Sequence, residues 1–164
     1  MPAQLENYYH FASCKLAPGS VVLPGNWGRM LRKCNYPAPN SQYFGNPWVL
    51  ARELLFDIIR MNHFPDRPSR LECAFCCPSI EDARAYQNGS GVDPFCMSLL
   101  HRVELVDPSL PGHTAFIKCT NWPSPNTSFL NVLQQQAKAY WAGEGDGPRE
   151  FLTMSGLKIV ENID

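Results

Sequence analysis

The strongest constraint on the fold is an amphipathic segment that begins at Pro47. Its apolar residues recur three and four positions apart, with charged residues between them: Val49, Leu50, Leu54, Leu55, Ile58 and Ile59. Asn46 and Pro47 suit the N-cap and the first helical position. A second segment has the same spacing up to Gly143, a typical helix stop: Phe129, Leu130, Leu133, Ala137, Tyr140 and Trp141. The sequence therefore predicts two helices that each bury one face.

Short strand-like runs lie before, between and after these helices. They are residues 6–12, 21–23, 70–77, 95–106, 114–119, 151–154 and 157–160. Ser79 and Asp82 form an approximate capping box for a third, short helix that carries Ala83 and Tyr86. The aromatic-rich stretch from Gly28 to Gly45 predicts a long loop. At 164 residues the chain is about one domain in size, so we predict a single α+β domain over residues 1–164 with two or three helices.

Charge and cysteine content limit the partners and the compartment. The net charge of −1 gives no field that would attract a membrane or bind nucleic acid nonspecifically. The first residues lack the basic and apolar regions of a signal peptide, and no apolar run is long enough to cross a bilayer. Seven cysteines, an odd number, favour reduced thiols over a disulfide framework. We therefore expect a cytoplasmic protein without membrane association.

The cluster Cys73-x-x-Cys76-Cys77 raises the possibility of a zinc-stabilised domain. Structural zinc sites normally pair two such clusters, and the other cysteines stand alone at positions 14, 34, 96 and 119. We expect the cluster to be buried scaffold and expect no metal, although elemental analysis for zinc would test the alternative. The sequence also lacks the Walker phosphate loop, the dinucleotide-binding glycine motif and the nucleophile elbow.

Three dispersed stretches resemble the ADP-ribosyltransferases, in particular the histidine-tyrosine-glutamate branch that includes diphtheria toxin, the poly(ADP-ribose) polymerases and the rifamycin-modifying enzymes. "YYHFAS" is similar to the family's first core strand, and "CAFCCPSIEDARAY" to its middle strand and helix. "EFLT" followed by "LKIV" resembles its late strands. The order and spacing agree over residues 6 to 162, and a bacterial group of this superfamily also has runs like "LPGNWGR" and "RPSRLE". Two departures affect the pocket wall: Phe11 replaces a glycine, and Ala74 or Phe75 replaces a tyrosine.

The resemblance implies a split sheet of about six strands in two packed halves, with NAD in the cleft between them. It implies Glu150 as the catalytic carboxylate, which stabilises positive charge on the ribose and holds its 2′-hydroxyl. His10 would bind a ribose hydroxyl of NAD. The other implied NAD-binding residues are Phe75 and Tyr86 as walls of the nicotinamide site, Arg70 as a pyrophosphate ligand, and Phe11 and Ser13 beside the histidine.

The acceptor of ADP-ribose stays open at this point. Related toxins that modify arginine have Glu or Gln two residues before the catalytic glutamate, and Pro148 occupies that position here. This leaves nucleic acid, especially RNA, another protein side chain or a small molecule. Trp27, Arg29 and Arg32 could contact an acceptor or NAD phosphates by stacking and charge. A toxin or phage-defence effector with a neutralising antitoxin or chaperone partner fits such an enzyme.

Two other functions remain possible from the sequence. A non-catalytic module could keep the fold and bind a nucleotide or a partner protein, which the substitutions at Phe11 and at Ala74 and Phe75 favour. An NAD glycohydrolase would pass ADP-ribose to water. Nicotinamide release by wild type and by Glu150→Ala separates the enzyme from the binding module.

Overall fold

The computed structural model describes residues 7–33, 47–88 and 99–163, and this part of the chain folds as mixed α+β. The strands are β1 (Tyr8–Ala12), β2 (Val21–Val22), β3 (Ala74–Cys76), β4 (Leu99–Leu105), β5 (Gly112–Phe116), β6 (Arg149–Thr153) and β7 (Leu157–Asn162). The helices are α1 (Asn26–Arg32), α2 (Pro47–His63), α3 (Ile80–Asn88) and α4 (Phe129–Ala142), with a short 3-10 helix at Ile117–Thr120. The α+β prediction is confirmed.

The strands form two antiparallel sheets. One has the order β1-β4-β7-β2 and the other the order β3-β6-β5. An isolated bridge joins them, in which the Tyr9 N–H donates to the Cys77 carbonyl at 2.9 Å and the Cys77 N–H donates to the Tyr9 carbonyl at 2.7 Å. β1 and β3 are therefore the neighbouring edges of the two sheets. This division agrees with the two halves that the resemblance implied, with seven described strands where about six were expected.

Two apolar clusters hold these layers together. The first lies where α2 and α4 cover the three-stranded sheet, and its buried members are Phe56, Ile59, Cys73, Ala115, Leu133, Ala137, Tyr140, Trp141 and Leu152. The second lies between the sheets, where the rings of Tyr8 and Phe151 stack with centroids 4.9 Å apart. Trp141 is fully buried, and its indole N–H donates to the Phe56 carbonyl at 2.8 Å. Removing a core aromatic of this kind typically costs about 3–5 kcal/mol.

Helix α1 corrects the prediction of a continuous loop from Gly28 to Gly45. Gly28 lets the helix lie directly on the chain ahead of β3, because a Cβ there would come within 2.0 Å of the Leu71 carbonyl oxygen. Close backbone packing therefore explains why glycine occupies this position of the helix. Residues 34–46 of the predicted loop lie outside the described part.

Other element boundaries also differ from the prediction. Four α-helices are described where two or three were expected. The middle strand is limited to Ala74–Cys76, and the strand expected at 114–119 lies at Gly112–Phe116 and continues as the 3-10 helix. The strand expected from Phe95 is described from Leu99, since residues 89–98 lie outside the described part. No helix in the described ranges is long and apolar enough to span a membrane.

Candidate functional site

Glu150 is the second residue of β6, the middle strand of the three-stranded sheet. It lies opposite Ala115 of β5 and, by strand alternation, shares its face of the sheet with Leu152. Both of those neighbours belong to the core beneath α2 and α4. Only 15% of the Glu150 side chain is exposed. The carboxylate at the start of this strand is therefore enclosed by protein.

Two donors fix the Glu150 carboxylate in place, and both bind the same oxygen. Arg70 Nη1 donates to Oε1 at 2.5 Å, and the Tyr140 hydroxyl donates to Oε1 at 2.6 Å. Charge-assisted bonds of this length are strong and directional. Oε1 is thus held on the side of Arg70, and the carboxylate has a defined orientation with Oε2 as its second acceptor.

Arg70 lies at the centre of a buried network, in the turn ahead of β3. Its Nε donates to Glu53 Oε2 at 2.9 Å, and its Nη1 donates to the Tyr140 hydroxyl at 2.5 Å. The guanidinium carbon is 4.9 Å from the Phe75 ring centroid and 5.0 Å from that of Tyr140. The residue is 7% exposed. Arg70 was predicted as a phosphate ligand, and in the structure its fork binds two carboxylates of the protein itself.

Glu53 anchors the network on α2. It is 2% exposed and also accepts a hydrogen bond from Arg52 Nη2 at 3.0 Å. Burial disfavours its charged form, but the ion pairs with Arg70 and Arg52 outweigh burial and lower the pKa of Glu53. The network therefore balances two cations, Arg52 and Arg70, against two carboxylates, Glu53 and Glu150.

The same network determines the protonation of its donors. Burial works against the charge on Arg70, yet Glu53, Tyr140 and Glu150 together raise its pKa well above the ordinary value. Burial also raises the pKa of the Tyr140 phenol, with Arg70 opposing and Glu150 reinforcing the effect. At neutral pH the arginine stays charged and the phenol stays protonated. Both therefore remain hydrogen-bond donors to Glu150.

His10 lies on β1 directly opposite His101 of β4. Its Nδ1 lies 2.8 Å from the Phe75 carbonyl oxygen, and because a carbonyl only accepts, Nδ1 carries the proton. Burial lowers the pKa of His10, the Phe75 carbonyl opposes this, and His101 adds to it. His10 is thus a neutral imidazole whose Nε2 is an acceptor. Phe75 lies between His10 and the network around Glu150. Its carbonyl binds His10 Nδ1, and its ring packs against the Arg70 guanidinium.

A family model described as "Protein of unknown function (DUF2441)" matches residues 25–164. The chain belongs to the DUF2441 family. No curated protein matches the sequence. The residues matched by the DUF2441 model contain the whole charged network around Arg70 and Glu150, whereas β1 with His10 precedes them.

Within the DUF2441 domain, Asp82 on α3 fixes the main chain at the start of β6. Its Oδ1 accepts the Arg149 backbone N–H at 2.9 Å, and its Oδ2 accepts Arg149 Nη2 at 2.9 Å. Ser79 Oγ accepts the Asp82 N–H at 3.0 Å, which is the N-cap bond of the predicted capping box, and its hydroxyl donates to Asp82 Oδ2 at 2.8 Å. Burial disfavours the Asp82 charge, but hydrogen bonds from Arg149 and Ser79 lower its pKa. The residue next to Glu150 is therefore anchored independently of Arg70.

The predicted wall residues of this DUF2441 protein lie in different surroundings. Phe11 is 5% exposed and belongs to a small cluster with Cys77, Ala83 and Leu100. Tyr86 on α3 packs against Phe11 with ring centroids 5.8 Å apart. Ser13 directly follows β1 and is exposed. The side chain at position 11, where the resembled family has glycine, thus fills the space beside Tyr86.

The candidate acceptor-binding residues lie on α1, away from the charged network in the chain. Arg29 and Arg32 are exposed and Trp27 is half-buried. Arg29 donates to the Pro24 carbonyl at 3.0 Å and also binds the Asn26 side chain. The structure places these three residues together on one short helix.

The cysteine cluster is part of the core. Cys73, Cys76 and Cys77 are free and buried, and burial raises the pKa of each thiol. Among the residues that the structure describes, no three His, Cys, Asp or Glu side chains are grouped to hold a metal ion.

Sequence reasoning missed the roles of Glu53 and Tyr140. Glu53 was counted among the charged residues between the apolar positions of the first helix, and Tyr140 was counted among the apolar residues of the second. A signal for Glu53 was present, because it is spaced four residues from Val49 and three from Phe56, both of which are buried. A carboxylate on the buried face of a helix requires a cationic partner, and the sequence did not show that this partner is Arg70.

Proposed function

We propose that this protein transfers ADP-ribose from NAD to an acceptor and releases nicotinamide. The observation that supports this most strongly is the clamped Glu150 carboxylate. It is 15% exposed, held by Arg70 and Tyr140 through Oε1, and presents Oε2 in a fixed direction. A carboxylate that is oriented before substrate arrives is what a developing sugar cation requires.

The proposed reaction breaks the bond between ribose C1′ and the nicotinamide nitrogen, and the bonding electrons leave with nicotinamide. Positive charge develops on the ribose as in glycoside hydrolysis. Glu150 Oε2 would accept a hydrogen bond from the ribose 2′-hydroxyl and stabilise that charge. A nucleophile of the ADP-ribose acceptor attacks C1′ and loses its proton. Because Oε1 is already bound, the carboxylate needs no reorganisation as the bond breaks.

The remaining candidate residues take roles that follow from their surroundings. Neutral His10 would accept a ribose hydroxyl at Nε2, since its Nδ1–H is committed to the Phe75 carbonyl. The half-buried ring of Tyr86, which packs against buried Phe11, would offer an aromatic surface to nicotinamide. Arg70 acts as a positioning residue for Glu150 in place of the phosphate ligand expected from the sequence.

Nicotinamide release by purified protein tests the proposal. We expect turnover by wild type and a loss of about 10²–10³ in Glu150→Ala, the usual effect of removing one preorganised group. Glu161→Ala is the matched control, because that glutamate is about half exposed and pairs with Arg102 on the surface. If wild type and Glu150→Ala are equally inert while NAD still binds, the enzymatic assignment is overturned; equal turnover by both would exclude Glu150 as the catalytic carboxylate.

A non-catalytic binding module is the second candidate. The observation in its favour is that Arg70 and Tyr140 already satisfy Glu150 Oε1 within the fold. This module would bind NAD or another nucleotide in calorimetry and release no nicotinamide. Binding without turnover, unchanged in Glu150→Ala, is its expected result.

The acceptor is tested by mass spectrometry of RNA, DNA and protein from cells that express wild type or Glu150→Ala. We expect an ADP-ribose adduct on nucleic acid or on a protein side chain other than arginine, in view of Pro148. Release of free ADP-ribose in equal amount to nicotinamide, without an adduct, would identify a glycohydrolase instead.

A further inference from the structure

We propose that Glu53 is a positioning residue for Glu150 and that it acts through Arg70. This inference rests on the proposed function, since it assigns Glu53 a part in presenting the same carboxylate. Glu53 and Glu150 bind different edges of one guanidinium and come from distant elements, α2 and β6.

Four of the five N–H donors of Arg70 are divided between its partners. Glu53 occupies the Nε–Nη2 edge, with Nε 2.9 Å from Oε2 and Nη2 3.4 Å from Oε1. Nη1 is directed to Glu150 Oε1 at 2.5 Å and to the Tyr140 hydroxyl. A guanidinium is planar and its donors point in fixed directions. With one edge anchored by Glu53, Arg70 contacts Glu150 through Nη1.

This single-nitrogen contact has a chemical consequence. An unanchored guanidinium pairs with a carboxylate most favourably through two parallel N–H···O bonds. Such a pair would occupy both oxygens of Glu150, including the one that the ribose hydroxyl needs. Glu53 excludes the Nε–Nη2 edge from such a pair, and Arg70 contacts Glu150 from Nη1 to Oε1, which leaves Oε2 as an acceptor for substrate.

Charge supports the same role. Without Glu53, Arg70 would pair with Glu150 alone, in a site where Arg70 is 7% and Glu53 2% exposed and Coulomb interactions are weakly screened. Arg70 would then attract and polarise the Glu150 carboxylate more strongly. Glu53, whose other partner is Arg52 at 3.0 Å, competes with Glu150 for the charge of Arg70. It thereby weakens the attraction between Arg70 and Glu150.

The test is Glu53→Gln, which keeps the volume and an acceptor oxygen but removes the charge. We expect kcat for nicotinamide release to fall about 10- to 100-fold, as small misplacements of a reacting group do, with KM for NAD within about twofold. Glu161→Gln, at an exposed ion pair, is the matched control and keeps wild-type kinetics. In the Glu150→Ala background, Glu53→Gln should lower kcat no further.

A readout independent of activity separates this inference from the proposed function. In protein with ¹³C-labelled glutamate, the Glu150 carboxylate resonance, assigned with Glu150→Gln, should shift in Glu53→Gln and stay in place in Glu161→Gln. If wild type releases no nicotinamide, the proposed function fails while this shift still tests the coupling. An unmoved resonance, or an unchanged kcat in an active enzyme, overturns the role of Glu53. If Glu53→Gln does not fold, kcat and the Glu150 resonance are measured in Glu53→Asp instead. The shorter side chain of aspartate keeps the negative charge but places it farther from Arg70.

Discussion

The two sheets present their candidate residues by different physical means. In the three-stranded sheet, Glu150 is charged and is fixed by other charges, with Arg70 between Glu53 and Glu150. In the four-stranded sheet, His10 is neutral and is fixed by a main-chain carbonyl. His101 opposite it is also held by the backbone, through the Leu16 N–H and the Leu99 carbonyl.

The difference teaches how each half tolerates change. A buried charge without its partner is strongly destabilising, because desolvation is no longer compensated. A buried neutral imidazole that loses a hydrogen bond leaves one polar group unpaired, which costs much less. Single substitutions are therefore expected to cost more in the charged half than in the neutral half.

The largest effect is expected from Arg70→Met, which removes the shared cation and keeps a long apolar side chain. Glu53 and Glu150 would then be two buried carboxylates, with Arg52 as the remaining cation of the network. We expect the free energy of unfolding to fall by about 3–5 kcal/mol in urea denaturation.

Arg102→Met is the control for this substitution, because Arg102 and Glu161 pair at the surface with side chains 27% and 53% exposed. That change should cost less than about 1 kcal/mol. A loss for Arg70→Met as small as that for Arg102→Met would show that the network contributes specificity of structure and little stability.

The contrast between the halves also explains what the sequence could predict. Helical spacing identified α2 and α4, although Leu54, Ile58 and Leu130 are exposed and the buried face of α2 includes Glu53. Glu150 was expected at the start of a late strand, and β6 begins one residue before it. These features depend on neighbours in the sequence, so a local pattern was sufficient.

The charged network could not be predicted in the same way. Glu53, Arg70, Tyr140 and Glu150 come from four separate parts of the chain and meet because α2 and α4 pack on β3 and β6. Arg70 looks alike in sequence whether it faces a phosphate or a buried carboxylate. Helix α1 was missed for a related reason, since the close approach of Gly28 to Leu71 is a tertiary contact.

A smaller effect is expected from His101→Leu in the neutral half. His101 is fully buried and its Nε2 accepts the Leu16 N–H at 3.1 Å. Leucine is apolar and of similar size, but it leaves that amide without its acceptor. We expect a loss of about 1–3 kcal/mol in the free energy of unfolding. His63→Leu, at the exposed end of α2, should change the free energy of unfolding by less than about 0.5 kcal/mol. Equal losses for His101→Leu and His63→Leu would mean that water replaces His101 as the acceptor for the Leu16 amide.

The smallest effect is the pH dependence that half-buried His10 and buried His113 confer. Burial lowers the pKa of His10 on β1 and of His113 on β5 below the ordinary 6.5. Both histidines therefore take up a proton at higher pH in the unfolded chain than in the folded protein. Their contribution to stability is complete above pH 6.5 and falls as the pH decreases through their pKa in the folded state. The carboxylates with lowered pKa, Glu53 and Asp82, lose their contribution only below about pH 4, outside this window.

Urea denaturation between pH 7.5 and 5.5 measures this dependence. We expect wild-type stability to fall across the interval and His10→Gln to reduce the slope by at most about 1.4 kcal/mol per pH unit, the value for one proton. His63→Gln is the control and should keep the wild-type slope, since His63 is exposed. A His10→Gln slope equal to that of wild type would mean that His10 is equally protonated in both states. The neutral acceptor at Nε2, and with it the proposed contact to the ribose, would then have to be abandoned, while the charged half of the site would be unaffected.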